Sequence, residues 1–106
     1  MNNVENKILS KIKKIVTELE PSAKIYLYGS RSKGNARSDS DWDLLILLNK
    51  ERISYEVEQE ISSPLYDLEF DTGEVISPMI YSEKEWNSKY KITPFYKNVM
   101  REGILL

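Results

Sequence analysis

Two apolar runs, Ile25 to Tyr28 and Leu44 to Leu48, flank a polar connector that ends in Asp41-Trp42-Asp43. This stretch constrains the chain more than any other. The second run is continuously apolar, the pattern of a central strand covered on both faces. Side chains alternate along a strand, so Asp41 and Asp43 share one face and Trp42 takes the other. At a rise of about 3.3 Å per residue, their Cα atoms stand roughly 6–7 Å apart, close enough for both carboxylates to hold one or two divalent cations. Two such carboxylates repel, which raises the pKa of one unless a cation neutralises the pair. Gly29-Ser30 follows the first run directly. A glycine there lets phosphate approach the backbone, and the serine offers a hydroxyl. Arg31, Lys33 and Arg37 add positive charge beside Asp39, Asp41 and Asp43. A triphosphate with its metals is a ligand that needs both signs at once.

The composition narrows the chemistry. A chain of 106 residues is expected to form a single domain over 1–106. It has no His and no Cys, which excludes a Ser-His-Asp triad, imidazole general bases, thiolate metal sites and disulfides. A metal site must then be built from oxygen ligands, which favours Mg²⁺ or Mn²⁺. The net charge of −2, with many charges of both signs, argues against a general nucleic-acid-coating protein. No apolar run approaches the ~20 residues of a membrane span, and Met1 to Ser10 lack the apolar core of a signal peptide. The expectation is a cytoplasmic protein without membrane attachment.

The remaining elements follow from periodicity. Val4, Ile8, Ile12, Ile15, Val16 and Leu19 share a helical stripe, which predicts a helix from about Asn3 to Glu20, stopped by Pro21. Ala23 to Tyr28 and Asp41 to Leu48 are predicted strands, and Ser30 to Arg37 a loop or short helix. Ile53, Val57, Ile61, Leu65 and Leu68 predict a second long helix over Lys50 to Phe70, kinked or split near Ser62-Ser63 by Pro64. Glu74 to Tyr81 is a third strand, placed at an edge or a bulge by Pro78. Ser82 with Glu85, and Thr93 before Pro94, each mark the start of a helix. The predicted fold class is α/β (α+β): a small mixed β-sheet with the two long helices on one face. The other face, left open, would carry the site. The aromatic residues towards the C-terminus would either pack the last helices onto the sheet or form an interface.

Gly29-Ser30, a basic loop containing Gly34, and then Ser40-Asp41-Trp42-Asp43-Leu44 resemble the signature of the minimal nucleotidyltransferases of the DNA polymerase β superfamily. The resemblance spans nearly the whole chain and implies a polymerase β-like nucleotidyltransferase core. It implies that Gly29 and Ser30 contact nucleotide phosphates, with Arg31 assisting. Asp41 and Asp43 would be the catalytic carboxylates that hold Mg²⁺ (or Mn²⁺). An NTP, ATP first among them, would donate its nucleoside monophosphate to a hydroxyl. Small members pair with helical HEPN-domain proteins as antitoxins, so the resemblance implies such a partner, either completing the pocket or serving as target. Self-association remains open beside it. One departure stands out. The family places a third carboxylate on the next strand, which here reads Glu74-Val75-Ile76-Ser77-Pro78-Met79-Ile80. Ser77 or Ile76 falls where the acid belongs, and Glu74 at the start of the strand is the candidate substitute. Two readings follow: a metal-dependent nucleotidyltransferase, or an impaired nucleotidyltransferase fold acting as antitoxin or regulatory subunit through protein contacts.

Overall fold

The computed structural model describes residues 1–34, 36–37 and 39–106. Asn35 lies outside them, so the expectation of a loop or short helix over 30–37 is answered only on either side of it. Helix α1 (Asn3–Leu19) opens on a reciprocal cap. The Asn2 side chain accepts from the Glu5 N–H, and the Glu5 carboxylate accepts from the Asn2 N–H. These two bonds satisfy donors that the first turn leaves unpaired. Strand β1 (Lys24–Tyr28) follows, then a 3-10 turn (Gly29–Arg31) and strand β2 (Trp42–Leu48). Helix α2 (Tyr55–Thr72) leads to strand β3 (Ile76–Ser82). Short α3 (Glu83–Trp86), α4 (Pro94–Glu102) and strand β4 (Ile104–Leu105) complete the chain.

The four strands run in the order β3-β2-β1-β4. β2 is antiparallel to β1 and parallel to β3, and β4 pairs antiparallel with β1. β2 is therefore central, as its unbroken apolar run requires. Leu44, Ile46, Leu48 and Trp42 enter one core with Ile8, Ile12 and Val16 of α1 and Ile61, Leu65 and Leu68 of α2.

Leu45 and Leu47 enter a second core with Trp86 and Val99, packed against Tyr26, Tyr28, Tyr81, Tyr90, Phe95 and Tyr96. This corrects the expectation of an open second face. The C-terminal aromatics cover it, with ring pairs such as Tyr28–Phe95 (centroids 5.3 Å apart) and Trp86–Tyr96 (5.0 Å). Such pairs add about 0.5–1.5 kcal/mol each beyond their area. Packing was thus the role these residues took.

Three other expectations are corrected. α2 begins at Tyr55 rather than Lys50, because Ser54 caps it through the Val57 N–H. It is not split at Pro64 but runs through it as one helix. Its buried side chains Ile61, Leu65 and Leu68 hold both halves of the helix to the same core, which offsets the one lost backbone bond. The apolar tail at Ile104 is a fourth strand. Tertiary pairing created it, since a two-residue segment has no period to read.

Pro78 does mark an edge: β3 pairs only with β2. The Val75 carbonyl accepts from the Trp42 N–H, so alternate residues from Ile76 on turn their backbone groups outward. The outward N–H of Ile76 is taken by the Glu69 carboxylate at 2.6 Å, and Pro78 has none to offer. The edge is blunted against strand addition at both positions.

Candidate active site

The site is assembled where β1 ends and β2 begins. Tyr28 stands opposite Asp43 in the antiparallel pair, so the turn that follows Tyr28 folds back onto the aspartates. Gly29 adopts φ +76°, in the left-handed region. A Cβ built on Gly29 would strike the Asp43 carboxylate. Only glycine both accepts this backbone conformation and leaves room for that carboxylate. The turn predicted to face phosphate and the strand start predicted to face metal are thus in contact across the connector.

Asp43 is half-buried, and Asp41 is exposed. Burial, and then the neighbouring Asp41 charge, push the Asp43 carboxyl above the ordinary carboxylate range. Burial, then Asp43, then Tyr81 push the Tyr28 phenol up to about 12. Trp42 turns away into the core between the sheet and α1/α2, as alternation required. An Asp43 whose pKa is raised favours its protonated form in the folded state. At pH 7 its charge costs stability, and that cost is relieved as pH falls through the raised value. Asp43→Asn is therefore expected to raise the melting temperature of the metal-free protein. The gain should be largest at neutral pH and shrink towards pH 4, as read by thermal denaturation across pH. If Asn leaves the melting temperature unchanged at pH 7, burial does not strain this charge.

The donor set suits a hard cation: two carboxylates and no imidazole or thiolate. Among the described residues, no group of three acidic, His or Cys side chains is arranged to hold a metal. The third strand explains why. Ser77 stands beside Asp43 in the parallel pair, and Met79 stands beside Leu45. Ile76 and Ile80 belong to the opposite core, so Ser77 and Met79 share the face of Asp43. A serine holds the place where a third carboxylate would meet the pair.

Glu74 does not replace it, which corrects that expectation. Its Oε2 accepts from Trp42 Nε1 at 3.1 Å and lies 3.5 Å from Arg31 Nη2, on the side of the sheet to which Trp42 points.

Arg31, the expected phosphate contact, reaches to this same side. The side chain is 6% exposed, and its guanidinium lies 4.0 Å over the Trp42 ring. Nε and Nη2 donate to the Ser40 carbonyl at 3.1 and 2.8 Å, and Nη1 donates to Glu5 at 3.2 Å. Its charge is committed beneath the connector, joining α1, the end of the loop and the start of β3. The sequence signal for this ion pair is Glu5, an acid in the cap of a helix whose stripe is otherwise apolar.

Two further contacts hold the connector. The Ser40 hydroxyl accepts from the Arg37 N–H at 2.8 Å, which shapes the turn ahead of the aspartates. Lys33 pairs with Glu102 of α4 at 3.2 Å, a contact no local pattern could reveal.

The family profile of the nucleotidyltransferase domain matches residues 9–106. No curated protein matches the sequence. Two similar solved structures share the fold. One is a toxin–antitoxin crystal structure with AMP-PNP: 22% identity, TM-score 0.64, covering 91% of this chain and 69% of the other. The second is the toxin–antitoxin MntA–HpeT carrying two aspartate-to-glutamate substitutions: 18% identity, TM-score 0.61, with the same coverage of both chains. With the family match spanning nearly all of its length, and with the Gly29 turn seated against Asp43 at the start of a central strand, this chain belongs to the nucleotidyltransferase domain family.

Proposed function

We propose that the protein transfers a nucleoside monophosphate from an NTP, with ATP as the first donor to test, to a hydroxyl of a protein partner. The observation that carries this is the contact between Gly29 and the Asp43 carboxylate. It gives a triphosphate both of its needs within one turn. Backbone and hydroxyl of Gly29-Ser30 meet the phosphates, and Asp41 and Asp43 meet the cation that accompanies them. Mg²⁺, or Mn²⁺ in its place, would be held by these two carboxylates and would neutralise charge on the phosphates when bound. Asp43 offers its carboxylate from a partly desolvated position, where a cation also relieves the repulsion from Asp41. The solved complex with AMP-PNP supports a nucleotide ligand for this fold.

The partner is proposed to be a helical HEPN-type protein, with this chain in the antitoxin role; the toxin–antitoxin complexes of similar fold support it. Ser77 favours a second reading, in which the chain binds nucleotide and partner but transfers slowly, because no third carboxylate stands beside Asp43.

The test uses α-labelled ATP and Mg²⁺, with and without a HEPN-type protein as acceptor. Transfer lost at least a hundredfold in Asp41→Asn/Asp43→Asn supports the enzyme. Transfer that rises tenfold or more only in Ser77→Asp supports the second reading. If no variant binds or transfers the label, both readings fail.

A further inference from the structure

We infer that the outward face of α2 is a docking surface for the protein partner, and that it receives an amphipathic helix carrying Lys or Arg beside its apolar face. The inference rests on the proposed transfer only for the presence of a protein acceptor. Tyr55, Tyr66 and Phe70 recur on one face of α2, since spacings of eleven and four residues return to nearly the same side of a helix. That face lies opposite the buried Ile61, Leu65 and Leu68. The three aromatics are 73%, 47% and 94% exposed. Phe70 lies one turn before Gly73, where α2 ends and the chain passes into β3. Three large aromatics exposed along one helix need cover.

The chemistry of the occupant follows from what surrounds the run. α2 carries Glu56, Glu58, Glu60, Asp67 and Asp71 besides the capping Glu69, and no Lys or Arg. Two copies of this flank would repel each other, so a second copy meeting it face to face is disfavoured; a basic partner is attracted. The backbone groups of α2 are spent within the helix, so it offers a strand nothing to pair with. Docking is then through side chains, the manner in which a helix lays its apolar face on another surface.

The test measures binding of fluorescent helical peptides to the full chain by anisotropy, without nucleotide. One peptide has a leucine face flanked by arginines. A second replaces the arginines with glutamates, and a third scrambles the first. Selective binding of the first is expected, weakened at least tenfold by Tyr66→Ser/Phe70→Ser and unchanged by Ile92→Ser, an equally exposed apolar site elsewhere. Asp41→Asn/Asp43→Asn should bind the peptide normally, so loss of transfer and loss of docking are separable. Equal binding of the scrambled or glutamate peptide overturns the inference, as does insensitivity to the Tyr66/Phe70 pair or no binding at all.

Discussion

Replacing Gly29 by alanine is expected to destabilise the fold by about 2–5 kcal/mol and to disable the site at the same time. Two costs combine. An L side chain at φ +76° pays about 1–2 kcal/mol for the left-handed conformation. The new methyl also strikes the Asp43 carboxylate, and crowding in a packed place costs about 1–3 kcal/mol. The costs separate in a double-mutant cycle. Asp43→Ala removes the obstructing carboxylate, so Gly29→Ala in that background should lose only the conformational part. Urea denaturation measures both. A fluorescent ATP analogue with Mg²⁺ reads the site, where at least tenfold weaker binding is expected. Equal stability losses in the two backgrounds would refute the steric coupling between turn and carboxylate.

Arg31→Met should be nearly as severe, at about 3 kcal/mol, because it strips the cation from beneath two partly covered carboxylates. Glu5 and Glu74 would keep their charges without it, and Trp42 would lose the guanidinium over its ring. The Ser40 carbonyl, just ahead of the aspartates, would lose both its donors from this side chain. Arg31→Lys should recover less than half the loss, because an ammonium lacks the planar fork that serves these partners. Adding Glu5→Gln/Glu74→Gln to Arg31→Met should restore part of the stability by removing the stranded charges. Denaturation distinguishes this from a phosphate-binding role. A phosphate ligand would change ATP affinity with the melting temperature unchanged, the outcome that would reject the buried strut.

These two residues also show what kind of information local sequence holds. Gly29 was legible because glycine after a strand carries its own conformational reason, and because Ser30 and the paired aspartates recur in a recognisable order. The burial of Arg31 was not legible because it depends on Glu5, Glu74 and Trp42, which lie at separations no local spacing encodes. The face of Glu74 was undecided for a similar reason. An acid at the end of a turn has no fixed direction until its strand is paired.

What the sequence determined by itself is the part that depends on short-range rules. Alternation set Asp43 on one face and Trp42 on the other, continuous apolarity made β2 central, and Pro78 limited β3 to an edge or a bulge. The lack of His and Cys limited any metal to oxygen ligands. Tertiary structure decided the rest. It made a strand of two residues at Ile104 by pairing them with β1, and it closed the second face with aromatics gathered from β1, β3 and the last helices. It also turned Glu74 to Arg31 and left Ser77 beside Asp43. The physical reason is register. Which side chains meet across a sheet is fixed by how strands align, and that alignment is set by the packing of the whole core.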